Sequence, residues 1–177
     1  YLISDMTEDD RIAAEGALLM LLDDASPMVR EAMAQVFAFS EDAPPAIVHA
    51  LAQDQHAIAA MVLEGSPLFM DVELVDLVAT GSDAHQSAIA RRRDLPASVS
   101  AALAEVGSPQ ACLELVENPE AQLMEFSLTR IAQRHGHLPA IREAMMADPS
   151  LAAPIRLILV GQLSAQLSRF VVGKKWL

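Results

Sequence analysis

Two stretches, Leu77-Val-Ala-Thr-Gly-Ser-Asp83 and Leu103-Ala-Glu-Val-Gly-Ser-Pro109, stand 26 residues apart. Each closes an apolar helical pattern with glycine and opens the next with serine, a helix stop followed by an N-cap. Carrying that offset forward sets Ile89 against Leu115. Prolines follow the shorter helix at Pro67, Pro96, Pro119 and Pro149, irregularly spaced. The unit is therefore a short helix, a proline-marked turn and a longer helix. A two-helix period within roughly 20 to 50 residues is the mark of a stacked array, in which no unit buries its apolar face alone. The fold expected is all-α, an α-α superhelix of short antiparallel helix pairs.

Working outward, similar signals fill the chain. A first helix is expected from about Glu8 to Asp23, with Thr7 as N-cap, Asp10 placed as in a capping box, and Ile12, Leu18, Leu19 and Leu22 for a buried face. Ser26-Pro27 opens a second, with Val29, Met33, Val36 and Phe37 as its apolar stripe. Pro44-Pro45, Asp54 and Asp71 precede further apolar segments only two or three turns long. Isolated helices below roughly 12 residues are marginal in water, so these need neighbours. Four or five units fit the chain, and the longer pattern from Ile155 to Val172 reads as a cap on the stack. A closed orthogonal bundle would give similar local signals.

Composition agrees. The chain has 177 residues, 53% hydrophobic but only 4% aromatic, and a core of small aliphatic residues suits close-packed helices better than sheets. Its length permits one domain, residues 1–177, and the start at Tyr1 and the end at Lys174-Lys175-Trp176 read as a piece of a longer chain. Arg, Asp, Glu or Pro interrupts each apolar stretch, so no membrane span is expected. One cysteine, Cys112, and the lack of a basic-then-apolar leader favour a reducing, cytoplasmic setting. Net charge is −12, and it is uneven: residues 1–83 hold 16 Asp and Glu against Arg11 and Arg30, whereas residues 84–177 hold 8 against 10 Lys and Arg. An acidic first half opposes binding to phosphate backbones, leaving only the second half suited to nucleic acid.

The runs Asp24-Ala-Ser-Pro-Met-Val-Arg30, Glu64-Gly-Ser-Pro-Leu68, Ala88-Ile-Ala-Arg-Arg-Arg-Asp-Leu-Pro96 and Leu115-Val-Glu-Asn-Pro119 carry a resemblance. Over nearly the whole length, the chain resembles an uncharacterised bacterial helical-repeat family, a domain of unknown function related to HEAT and leucine-rich-variant repeats. The resemblance implies a HEAT-like solenoid and brings no catalytic motif with it.

Candidate chemistry is sparse. His135-Gly-His137 beside Arg134 is the most suggestive local metal pair, yet histidine at a helix C-terminus is favoured by the dipole alone. His56 and His85 open successive short helices, where Asp54 and Asp83 read as helix-start residues. Cys112, in an apolar stretch, reads as a small core residue rather than a nucleophile. The acidic pairs Asp9-Asp10, Asp23-Asp24 and Glu41-Asp42 fall at helix ends or loops. Of seven methionines that could line a peptide groove, Met28, Met33, Met61, Met70, Met124, Met145 and Met146, helical spacing assigns most to the core. No phosphate-cradling glycine loop, nucleophile elbow or zinc signature occurs, and no cofactor is expected.

The sharpest surface feature is Arg91-Arg92-Arg93, at the end of a short helix. The arginines complement the helix dipole, and at least one is expected to pair with Asp94 or with acids of the next unit. With Arg130 and Arg134 they also form a candidate cationic binding patch. The function expected is a non-catalytic scaffold that binds a protein partner. The alternatives are phosphate or nucleic-acid binding through the arginines, and an enzyme with a site dispersed between repeats.

Overall fold

The structure, a computed structural model, describes residues 7–23 and 26–173. Asp24 of the Asp23-Asp24 pair and the Lys174-Lys175-Trp176 ending lie outside the described residues. Among those described there are eleven helices and no strands: α1 (Glu8–Leu22), α2 (Pro27–Phe37), α3 (Pro45–Leu51), α4 (His56–Gly65), α5 (Asp71–Thr80), α6 (Asp83–Ala90), α7 (Ala97–Val106), α8 (Pro109–Glu117), α9 (Glu125–His135), α10 (Pro139–Ala147) and α11 (Ala153–Gly173). The all-α class is borne out, with neighbouring helices packed in a chain as in an α-α superhelix. The chain clusters into two compact units, residues 1–73 and 74–177.

In the second unit the helices pack in two rows. α6 lies on α8 and α8 on α10; α7 lies on α9 and α9 on α11. The 26-residue register holds, for Ile89 and Leu115 are both fully buried on the packed pair α6 and α8. Leu95, Leu103, Ile131 and Ile141 complete the floor between the rows, each such burial contributing about 1.5–3 kcal/mol. Ser82 and Ser108 are the N-caps expected, accepting from the backbone N–H of His85 and Ala111.

The glycines serve a different purpose from the left-handed helix stop. None of the described glycines has positive φ, and Gly107 sits at φ −60°, ψ 148°. What excludes a side chain is space: a Cβ at Gly107 would lie 2.4 Å from the Leu103 carbonyl oxygen, and one at Gly136 would lie 2.8 Å from Leu159 of α11. The left-handed position belongs instead to Asp94, at φ 48°, one of the few residue types that tolerates it. It turns the chain after α6.

Helices this short leave much of their backbone unpaired, since the last four carbonyls of any helix have no partner within it. Here the following elements supply the donors. Gln86 of α6 donates to Val78 O near the end of α5, while its Oε1 accepts from Ser108 N at the start of α8. Asn118, just after α8, donates to Ala90 O and Arg92 O at the end of α6, both at 2.8 Å. Arg134 of α9 spans Ala104 O and Gly107 O at the end of α7. Gln162 and Gln166 of α11 reach Gln133 O and His137 O at the end of α9, and Arg156 closes Asp148 O and Leu151 O after α10.

The first unit pairs α1 with α3 and α2 with α4. Its core is Met33, Phe37, Ile47, Val48, Leu51, Ile58, Val62 and Leu63. Asp54, read from sequence as a helix-start residue, accepts from Gln55 N and is also clasped by Arg30 through two bonds of 2.5 and 3.2 Å. Thr7 caps α1 as expected, accepting from Asp10 N and donating to its carboxylate. The expected buried face of α1 does not form: no residue of α1 is buried, and Ile12 and Leu19 are exposed. Val36 of α2 is also exposed.

One further expectation is corrected. Of the seven methionines assigned mostly to the core, Met33 and Met145 are buried, but Met28, Met70, Met124 and Met146 are exposed. α11, at 21 residues, is long and apolar enough by length and composition to cross a membrane, with Arg156 and Arg169 as its charged residues. Ile155 and Leu159 are its buried residues, while Leu157, Val160, Leu167 and Val171 on the opposite side are exposed.

Two substitutions separate the polar contacts that hold the stack from those that do not. Asn118→Ala removes two carbonyl partners at once and is expected to cost about 1–3 kcal/mol in urea unfolding. Ser127, by contrast, is fully buried with its hydroxyl unpartnered, as is Ser100. Ser127→Ala is therefore expected to leave stability unchanged or raise it by roughly 1 kcal/mol in the same measurement.

Candidate functional site

The five arginines singled out in the sequence are placed by two stretches of chain, the end of α6 and the helix α9. Arg91 is the C-cap of α6, and its guanidinium meets Glu114 of α8 at 2.5 Å, the pairing with a neighbouring unit that the sequence suggested. Arg92 is buried, its carbonyl held by Asn118, and Arg93 is exposed beside the left-handed Asp94. On α9, Arg130 forms a two-bond pair with Glu105 of α7 at 2.7 and 2.8 Å, holding that carboxyl below its usual range. Arg134, one turn on, is the two-carbonyl cap already described. Arg91, Arg130 and Arg134 thus have acceptors within their own unit.

Around Arg134 the structure gathers the most chemically varied cluster. Cys112 is fully buried and donates weakly to Leu103 O at 3.5 Å. Burial pushes its thiol up to about 11, against the opposing pull of the Arg134 charge. It is a protonated thiol at neutral pH, so the core reading holds. His135 faces Gly107 O at 3.4 Å, which requires the proton on Nε2. Burial first, and the Arg134 charge second, hold this imidazole below its ordinary 6.5.

The other histidines are placed structurally. The Nδ1 of His85 accepts from Ser82 N, completing a capping box. His49 stands edge-on to Phe69 at 5.0 Å and 3.7 Å from Glu73. His56 opens α4, and the His137 carbonyl accepts from Gln166. Among the described residues no group of three or more His, Cys, Asp or Glu is arranged to hold a metal ion.

What the sequence did not disclose is the relief between helices. In the second unit an open groove of about 580 Å³ runs between α7 and α9, with Ala101 and Ala104 as its floor, Phe126 and Gln133 on its walls, and the Glu105–Arg130 pair across it. Phe126 is 60% exposed, on a helix whose opposite face buries Ser127 and Ile131. The signal available in advance was the small-residue run Ser100-Ala-Ala-Leu-Ala104, which leaves a helix too thin to fill the space beside it.

The His135 contact has a measurable sign. Because the folded state favours the neutral ring, its contribution to stability is complete above 6.5 and is lost as pH falls from there through the lower folded value. The thermal midpoint is expected to decline across that window, and His135→Gln to flatten the decline. A second fall, from Asp54 held down chiefly by its bond to Arg30, begins below 3.8.

No curated protein and no solved structure matches the chain. A family model does: that of DUF2336, described as an uncharacterised protein conserved in bacteria, which matches residues 58–177. The chain belongs to that bacterial family.

Proposed function

We propose that the chain is a non-catalytic protein–protein interaction module, a scaffold of HEAT-like helical repeats working in a reducing, cytoplasmic setting. The observation that carries this reading is the α7–α9 groove, open along its length, with an apolar floor and an exposed aromatic ring on its wall. An exposed aromatic beside small residues is the usual anchor by which one protein surface seats another. The charged groups across the groove already satisfy each other, so Glu105 and Arg130 favour orientation of a partner over acid–base chemistry. The acceptors held by Arg91, Arg130 and Arg134 weigh against a surface for phosphates.

The test compares affinity capture by the wild-type chain and by Phe126→Glu, with photo-crosslinking from position 129 to report which molecule lies in the groove. A protein crosslinked reproducibly to the wild type, and reduced about tenfold or more in the variant at unchanged helicity, is the expected result. Equal capture by both chains removes the groove from the proposal. Turnover of a metabolite panel by a chain that captures nothing overturns the scaffold role itself.

A further inference from the structure

The first unit carries a second surface, distinct from the α7–α9 groove and standing or falling separately from it. α2 presents Met28, Ala32 and Val36 at intervals of four, the spacing of one helix face. Met28 is 78% exposed and Val36 57%. Beside them runs α1, with no buried residue. Between the two helices lies an open, almost wholly apolar groove of about 480 Å³, lined by Leu18, Met28, Val29, Ala32, Met33 and Val36. An apolar channel this exposed, with two methionines in its wall, calls for an occupant with apolar anchors of its own.

The charge of the unit that holds the channel says what else that occupant carries. Glu8, Asp9, Asp10 and Glu15 lie on α1, Asp23 caps its end, and Glu31 stands on the exposed side of α2. Against them are Arg11 and Arg30, and Arg30 is already clasped by Asp54. Over residues 1–73 there are 14 Asp and Glu and only those two arginines. We infer that the α1–α2 groove binds an amphipathic helical segment of a partner protein whose apolar face is flanked by lysine or arginine. Apolar anchors at helical spacing enter the channel, and the basic flanks meet the acidic charge that α1 and α2 carry, which speeds encounter and rejects acidic segments. The flexible thioethers let the groove accept side chains of different shape. The same acidic charge opposes a second copy of this chain, which would bring like charge to like, and it opposes anionic lipid headgroups.

The test uses fluorescence anisotropy with three labelled peptides of roughly 18 residues: leucines at helical spacing with lysine flanks, the same leucines with glutamate flanks, and the lysine peptide with its leucines changed to serine. The full chain is expected to bind the first at least about tenfold more tightly than either of the others, and more weakly as salt rises from roughly 50 to 500 mM. The double variant Met28→Ser/Val36→Ser changes no charge and no core residue, and is expected to lose about tenfold in affinity with its helicity intact. Unchanged affinity in that variant means the lysines alone are being read and overturns the groove as the site. So does failure to bind the lysine–leucine peptide, concentration-dependent self-association abolished by the same double variant, or binding to vesicles containing phosphatidylserine in preference to the peptide. Because Phe126 is untouched, capture through the α7–α9 groove persists whichever way this test falls.

Discussion

A nine-residue helix such as α8 leaves four of its carbonyls without a partner inside the helix, close to half its backbone acceptors. An array of short helices is possible only if something else answers them. In the second unit the answer comes from Gln86, Asn118, Arg134, Arg156, Gln162 and Gln166, each reaching from its own element to the exposed end of another. Hydrophobic burial drives the rows together, but it is non-directional. The carbonyl caps are what make one register of α6 on α8, or α7 on α9, better than a neighbouring one.

This division explains what could be read in advance. Ser82 and Ser108 were legible as caps because their bonds close within three residues. Ile89 and Leu115 were legible as equivalent because a repeat preserves burial. Asn118 and Arg134 were not legible as caps, since their acceptors lie 26 to 30 residues away and exist only once the rows are stacked. Arg134 therefore looked like surface charge, and Asn118 carried no reading of its own beside Pro119. The glycines were placed correctly as helix stops, but for crowding against the preceding carbonyl rather than for a left-handed backbone.

The exposed helices fail for a related reason. Periodicity identifies an apolar face, but whether that face is buried depends on whether another element lies against it. Ile12 and Leu19 of α1, and Leu157 and Leu167 of α11, satisfy the pattern and stay in solvent. The same uncertainty defeated the methionines, whose spacing suits a core and a groove equally well. Surface relief of this sort is set by what the stack leaves uncovered.

The caps in the second unit also run in one sense along the chain. The end of α5 is closed by a residue of α6, that of α6 by one following α8, that of α7 by α9, and those of α9 and α10 by α11. During synthesis from the amino terminus, α6, α7 and α9 each emerge before the donor that completes them has been made. The growing array always trails an unfinished edge of about two helices. Loosening α11 exposes the end of α9, whereas loosening α5 deprives none of these later carbonyls of its donor, so the stack frays more readily from one side than from the other.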